Sequence, residues 1–233
     1  MNRFYFNGES CSKYGIYVSG DGTFNATELD TTSYQIPGRN GDLVISNGRY
    51  KNIILTYPAF IRQNFAANAG KARAWLLSPQ GYCRLSDDYH PYEFRLGRFK
   101  GPMDFDMRFL NLSGECEISF DCKPQRFLVS GEKALHFDAA DAIVNPTGFE
   151  ALPQIKVYGD GDGTLTCGST TLTLSAIDEY IVLDSEIQDA YKDTLNRNAM
   201  VSGEFPTLQS GENTVSWSGG ITGIDITPRW WTL

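Results

Sequence analysis

Runs of lysine and arginine are absent from this chain of 233 residues. Its 20 basic residues are outnumbered by 28 acidic ones, for a net charge of −8. A surface that grips nucleic acid needs clustered cations to displace counterions from phosphate, so the composition argues against that function class. Long apolar runs are absent as well, and no segment is expected to insert in a membrane. The opening Met-Asn-Arg-Phe-Tyr-Phe-Asn-Gly lacks the apolar core of a signal peptide. The chain is therefore expected to be made in a cytoplasm and not to be secreted by a signal peptide. Cysteine pairs are missing: Cys11, Cys83, Cys116, Cys122 and Cys167 are odd in number, and none has the spacing of a zinc knuckle or redox pair. They read as reduced, packed residues.

Catalytic signatures are missing too. No Gly-x-Ser-x-Gly elbow, phosphate loop or dinucleotide fingerprint occurs. The two histidines, His90 and His136, stand too far apart for a metal-ligand spacing. Asp160-Gly-Asp162-Gly resembles the start of a calcium loop, but the closing glutamate position holds Thr171, so a hairpin turn is the preferred reading. No catalytic residue, cofactor or metal ligand is assigned, and an enzyme is not expected.

What is present is a 41% hydrophobic, 13% aromatic composition with Gly 23, enough for packed cores joined by tight turns. From Gly114 to Cys122, Glu115, Glu117, Ser119 and Asp121 alternate with Cys116, Ile118, Phe120 and Cys122. This period of two marks a half-buried strand. Lys123-Pro124 then stops the ladder, because proline has no N–H to donate. Before this point, Phe4–Phe6, Tyr14–Gly20, Ser33–Ile36, Asn52–Tyr57 (ended by Pro58), Tyr82–Leu85, Tyr92–Leu96 and Met103–Phe109 read as strands. Asp21-Gly22 opens a loop, and Pro37 to Asp42 is dense in turn formers. One helix is expected between Phe60 and Leu77, from apolar residues at helical spacing that include Trp75 and Leu76.

Beyond Asn145-Pro146 the chain reads as short strands: Pro153–Tyr158, Thr164–Cys167, Thr171–Leu174, Tyr180–Leu183, Thr214–Trp217 and Ile221–Ile226. Gly159–Gly163 and Ser218–Gly220 read as hairpin turns, and Asp189–Arg197 as a helical turn. This is a sandwich pattern. The fold class is mainly β, with a β-rich, belt-like domain carrying one α-helix over 1–127 and a β-sandwich over 128–233. Lys123, Pro124 and Gln125 form the inter-domain hinge.

Several segments stand out when taken in order: Phe4-Tyr5-Phe6-Asn7-Gly8, Tyr14 to Gly20, Ile36-Pro37-Gly38-Arg39-Asn40-Gly41-Asp42-Leu43, Ala74-Trp75-Leu76 before Gly81-Tyr82, and Cys122-Lys123-Pro124-Gln125-Arg126. In the second half they are Leu183–Glu186, Phe205–Leu208, Gly211–Asn213 and Ile226–Trp231. In this order they resemble siphophage distal tail proteins (Dit), and 1–127 resembles that family's ring-forming belt domain. The resemblance implies a galectin-like or carbohydrate-module-like (CBM-like) sandwich outside a homo-oligomeric ring, a hexamer around a channel. It implies a place in the virion, at the tail tip or baseplate, with assembly in the host cytoplasm. The implied partners are the tail-tube protein, the tail-associated hub protein and, at the side, a receptor-binding protein, with DNA passing only in transit. Phe4, Phe6 and Arg39 are assigned to the ring or partner interface. Asp104, Asp106, Glu115 and Glu117 either line the channel or face a solvated exterior. The alternative is a carbohydrate-binding module for host cell-wall polysaccharide, with Trp230 and Trp231 stacking on sugar rings.

Overall fold

The computed structural model describes residues 2–20, 22, 25–108 and 113–233. Asp21 and Phe109, named in the expectations above, lie outside them. The chain divides into two compact units, Met1–Arg126 with Leu233, and Phe127–Thr232. The architecture is mainly β, with one α-helix among the described residues.

In the first unit the strands are β1 (Phe4–Phe6), β2 (Glu9–Ser10), β3 (Ile16–Val18), β4 (Leu29–Tyr34), β5 (Leu43–Tyr50), β6 (Ile53–Ile61), β7 (Cys83–Asp87), β8 (Glu93–Phe99), β9 (Asp106–Arg108) and β10 (Ser113–Cys122), with helix α1 at Phe65–Leu77. The main sheet is antiparallel in the order β2-β1-β7-β8-β10-β6-β3, and β9 pairs with β10. The alternation in β10 places Cys116, Ile118, Phe120 and Cys122 in the core and Glu115 and Glu117 in solvent. Around Phe120 an aromatic cluster forms. Phe4 meets it edge-on at 5.4 Å, Phe6 lies 5.0 Å away, and Phe4 stacks on Tyr57 and Trp75. Helix α1 buries Ala69, Ala72, Trp75 and Leu76 against this cluster.

Several boundaries differ from expectation, two of them around Pro58. Strand β6 does not end at Pro58 but runs to Ile61, and α1 begins only at Phe65. The proline is tolerated because of where its nitrogen points. Ser19 N donates to Pro58 O at 2.9 Å, so this residue's backbone polar groups face the β3 side. β3 ends at Val18, opposite Ala59. The missing N–H thus ends the β3–β6 ladder and leaves the long β6–β10 ladder intact.

β11 (Arg126–Leu128) stands at the junction of the units. In the second unit follow β12 (Leu135–Phe137), β13 (Asp141–Asn145), β14 (Gln154–Cys167), β15 (Thr170–Asp184), β16 (Asp189–Lys192), β17 (Leu195–Asn196), β18 (Val201–Ser202), β19 (Gly211–Thr227) and β20 (Trp231–Thr232). The ladder runs β12-β19-β14-β15-β16-β17, with β13 on β19 and β18 on β15. The expected turns at Gly159–Gly163 and Ser218–Gly220 are not turns. They lie within β14 and β19, at register shifts where the long strands bend around a core of Ile155, Leu165, Leu174 and Ile224. Glycine is required there by contact: a Cβ on Gly220 would sit 1.8 Å from Asp160 O, and one on Gly159 2.3 Å from Gly220 O. Asp162 accepts a hydrogen bond from Ala176 N at 2.9 Å, which ties the bend in β14 to β15. The expected helical turn at Asp189–Arg197 is instead the β16–β17 hairpin.

A partly buried ion pair joins the end of β15 to the segment that follows β19. Arg229 makes a two-pronged contact with Asp184, 2.7 Å on each side. Burial alone would push the Asp184 carboxyl up; the hydrogen bonds and charge of Arg229 outweigh it and hold the carboxyl below the usual range.

At an exposed edge, His136 on β12 is held between two carboxylates. Its Nδ1 lies 2.6 Å from Asp225, the cross-strand partner on β19, and its Nε2 2.8 Å from Asp138. The hydrogen bonds to Asp225 and then Asp138 raise its pKa above the ordinary 6.5. A raised folded-state value means that the contribution is complete below the unfolded pKa and is lost as pH rises through the folded value. An NMR titration of the His136 ring should give a midpoint above ~6.5, and Asp225→Asn should lower it; a midpoint unmoved by Asp225→Asn would contradict this pairing.

Candidate functional site: an exposed arm and a clasped chain exit

The β4–β5 hairpin is exposed along most of its length. Every residue of β5 is exposed, as are Leu29 and Thr32–Tyr34 of β4. It pairs with no other strand among the described residues and forms a two-stranded sheet of its own. Its base is fastened by Lys51 N to Glu28 O at 2.8 Å and Thr27 Oγ1 to Lys51 O at 2.6 Å. Arg49 pairs with Asp30 across the strands at 2.7 Å. Register decides what each face presents. Thr32 stands opposite Ile45 and Tyr34 opposite Leu43, so these four share one face, while Ser33 and Val44 share the other. On the first face Tyr34 is 53%, Ile45 48% and Leu43 39% exposed. An isolated two-stranded hairpin is marginal in water, and a contiguous apolar face on one marks an interaction surface.

Arg39 is exposed at the tip of this arm, in a turn closed by its N–H to Ile36 O at 3.1 Å. Phe4 and Phe6 are elsewhere: at 0% and 1% exposure their rings are core and offer no surface to a partner. The residues that sequence reasoning missed are Tyr34, Leu43 and Ile45. The available signal was the apolar Leu43-Val44-Ile45 directly after the turn formers Pro37 to Asp42.

Lys123 and Pro124 are held by hydrogen bonds within the first unit, while Gln125 Oε1 is buried without a hydrogen-bond partner among the described residues. Arg95, on β8, donates Nη1 to Pro124 O at 2.8 Å and to Lys123 O at 3.4 Å. Lys123 N donates to Leu96 O at 2.8 Å, and Arg126 Nη2 to Asn25 O at 2.5 Å. Nearby, Tyr57 donates to the buried Asp87 at 2.7 Å, and His90 Nδ1 lies 3.0 Å from the same carboxylate. Burial, and then Asp87, push the Tyr57 phenol well up.

The acidic positions Asp104, Asp106, Glu115 and Glu117 are all exposed, and Asp106 stands directly opposite Glu115 in the β9–β10 ladder. Trp230 is 4% exposed and packs in the core of the second unit. Trp231 is half-buried, stacks on Phe149 at 4.5 Å and donates its Nε1 to Glu150 O at 2.8 Å. No helix among the described residues is long and apolar enough to cross a membrane. No group of His, Cys, Asp and Glu among them is placed to hold a metal.

No protein-family model and no curated protein sequence matches the chain. Solved structures do. The crystal structure of the SPP1 Dit protein, described as a paradigm of the hub adsorption apparatus in phages infecting Gram-positive hosts, matches with a TM-score of 0.77 over 100% of both chains at 10% identity. Chains of the phage p2 baseplate in its activated conformation match over 97% of both chains at 8% identity, with TM-scores of 0.51 for the strontium form and 0.50 for the calcium form. At these identities the likeness is one of fold, and it spans the whole chain.

Proposed function

We propose that this chain is a non-enzymatic structural protein of a siphophage tail tip, and that six copies close into a ring joining the tail tube to the tail-associated hub protein. DNA passes through the ring's channel, and the outer domain serves as scaffold for the host-adsorption apparatus. The fold likeness to a hub-apparatus protein supports the setting. The observation that carries the assembly is the arm, whose apolar face is exposed in the isolated chain. A second copy that covers this face removes apolar area from water. An arm that meets a different surface on its neighbour makes a head-to-tail contact, and such a contact closes into a ring when its rotation divides the circle. The acidic face with Asp104, Asp106, Glu115 and Glu117 supports a channel lining that repels phosphate and lets DNA slide. The sugar-binding alternative loses Trp230 to the core, and nothing else in the geometry favours it.

The test is the mass and shape of the assembly. Light scattering and negative-stain imaging, with the chain alone and mixed with tail-tube or hub protein, should give six-membered rings in at least one mixture. A chain that remains monomeric in all of them at high concentration would sink the proposal.

A further inference from the structure

Three asparagines stand directly before a glycine: Asn7, Asn40 and Asn47. An Asn-Gly pair carries its own reagent. The glycine's backbone nitrogen attacks the asparagine side-chain carbonyl carbon, and glycine, having no Cβ, leaves that approach open. By sequence the three pairs are alike. The fold separates them.

Asn7 and Gly8 form the two-residue turn between β1 and β2, with Phe6 paired to Glu9 across it. Both have positive φ, 51° and 80°, and Asn7 N donates to Arg84 O at 3.0 Å. Swinging Gly8 N toward the Asn7 side chain rotates their shared peptide unit and breaks the turn. Asn47 lies within β5. Its Nδ2 donates to Thr32 Oγ1 at 3.5 Å, and the Gly48 N–H that would attack is already given to Ser46 Oγ at 3.2 Å. The ion pair of Arg49 and Asp30 fastens the two strands beside it.

Asn40 is held by none of this. The β4–β5 ladder ends at Tyr34 and Leu43, so Gln35 to Asp42 crosses between the strands unpaired. The turn bond of this loop, Arg39 N to Ile36 O, involves neither Asn40 nor Gly41. Both residues are exposed, and a Cβ on Gly41 would meet nothing within 4 Å. Attack here breaks no ladder and no turn bond, and such exposed loops open at the low end of the stability range.

We propose that Asn40 is a site of spontaneous covalent modification at the arm tip, and that the fold protects Asn7 and Asn47 from the same reaction. Gly41 N gives its proton to water or hydroxide and forms a bond to Asn40 Cγ. The bond from Cγ to the amide nitrogen breaks, and ammonia leaves. Water then opens the cyclic imide at either carbonyl, giving aspartate or isoaspartate. The tip, where Arg39 balances Asp42, becomes net negative. Isoaspartate also routes the main chain through the former side chain and lengthens the loop by a methylene. The site is independent of ring assembly.

The test incubates the full, free chain at mildly alkaline pH. Peptide mass spectrometry follows the exchange of amide for acid at each of the three asparagines. Asn40 should convert at least about tenfold faster than Asn7 or Asn47, the factor that a modest local opening cost imposes on the protected pairs. Its rate should rise with pH, since the attacking nitrogen must lose a proton. In guanidinium chloride the three rates should converge, because only the fold distinguishes them. Asn40→Gln should remove the modification at the tip and leave the melting temperature unchanged. An Asn7 or Asn47 that keeps pace with Asn40 in the folded chain, or the same ranking in the unfolded chain, overturns the proposal. So does an intact Asn40 in the folded chain after a time in which the unfolded chain has converted.

Discussion

Replacing Tyr34, Leu43 and Ile45 together by serine should abolish ring assembly while leaving the fold unchanged. All three lie on one exposed face of the arm and contribute nothing to the core of the first unit. Burying a large apolar side chain contributes roughly 1.5–3 kcal/mol. Association recovers only part of that, since ordering the arm and neighbour has its own cost. A loss of about 4 kcal/mol per interface is a reasonable scale, which weakens each contact roughly 10³-fold. The Tm should stay within about 2 °C of the parent, because surface substitutions away from packed contacts usually cost less than ~0.5 kcal/mol. Val44→Ser on the opposite face is the control and should assemble like the parent. Rings formed by the triple variant at parental concentration would show that the arm face is not the interface.

Gly220→Ala should be the most damaging single-methyl change in the second unit. The added carbon would sit 1.8 Å from Asp160 O, a backbone atom that cannot swing aside as a side chain would. Relief requires β14 and β19 to separate where their bends cross, and the ladder on both sides opposes that. The expected cost exceeds ~4 kcal/mol, in the range reserved for gross steric or core damage. Gly148→Ala is the matched control: a Cβ there meets nothing within 4 Å, and the loss of unfolded-state freedom should make it neutral or stabilising by up to ~1 kcal/mol. Urea unfolding of both variants separates the two cases. A Gly220→Ala protein within ~1 kcal/mol of the parent would mean that the bends are far more pliable than their geometry implies.

The glycine clusters show where sequence reading fails. Gly159–Gly163 and Ser218–Gly220 have the composition of hairpin turns, and locally nothing distinguishes a turn from a sharp bend in a continuous strand. The difference is made by what lies across the bend, here the other strand's backbone at less than side-chain distance. Pro58 teaches the same lesson: it stops a ladder on one side only, the side that its nitrogen faces. At Lys123-Pro124-Gln125, just before the boundary between the units, a buried arginine from β8 holds the carbonyls of Lys123 and Pro124, a contact that composition does not reveal.

Properties that repeat along the chain were legible in the sequence itself. The two-residue alternation of Gly114–Cys122 determined which side chains of β10 enter the core, because successive strand residues must point to opposite faces. The helical spacing around Trp75 and Leu76 determined one helix and its buried stripe, and the excess of carboxylates determined the sign of the surface. Only the tertiary structure decided that Phe4, Phe6 and Trp230 are core, that the strand after Pro37–Asp42 remains outside as an arm, and that a buried Arg95 reaches the carbonyls of Lys123 and Pro124. Periodicity is a local property of a single strand or helix. Exposure and charge balance depend on which distant segment arrives to cover a residue, and a linear sequence does not contain that distance.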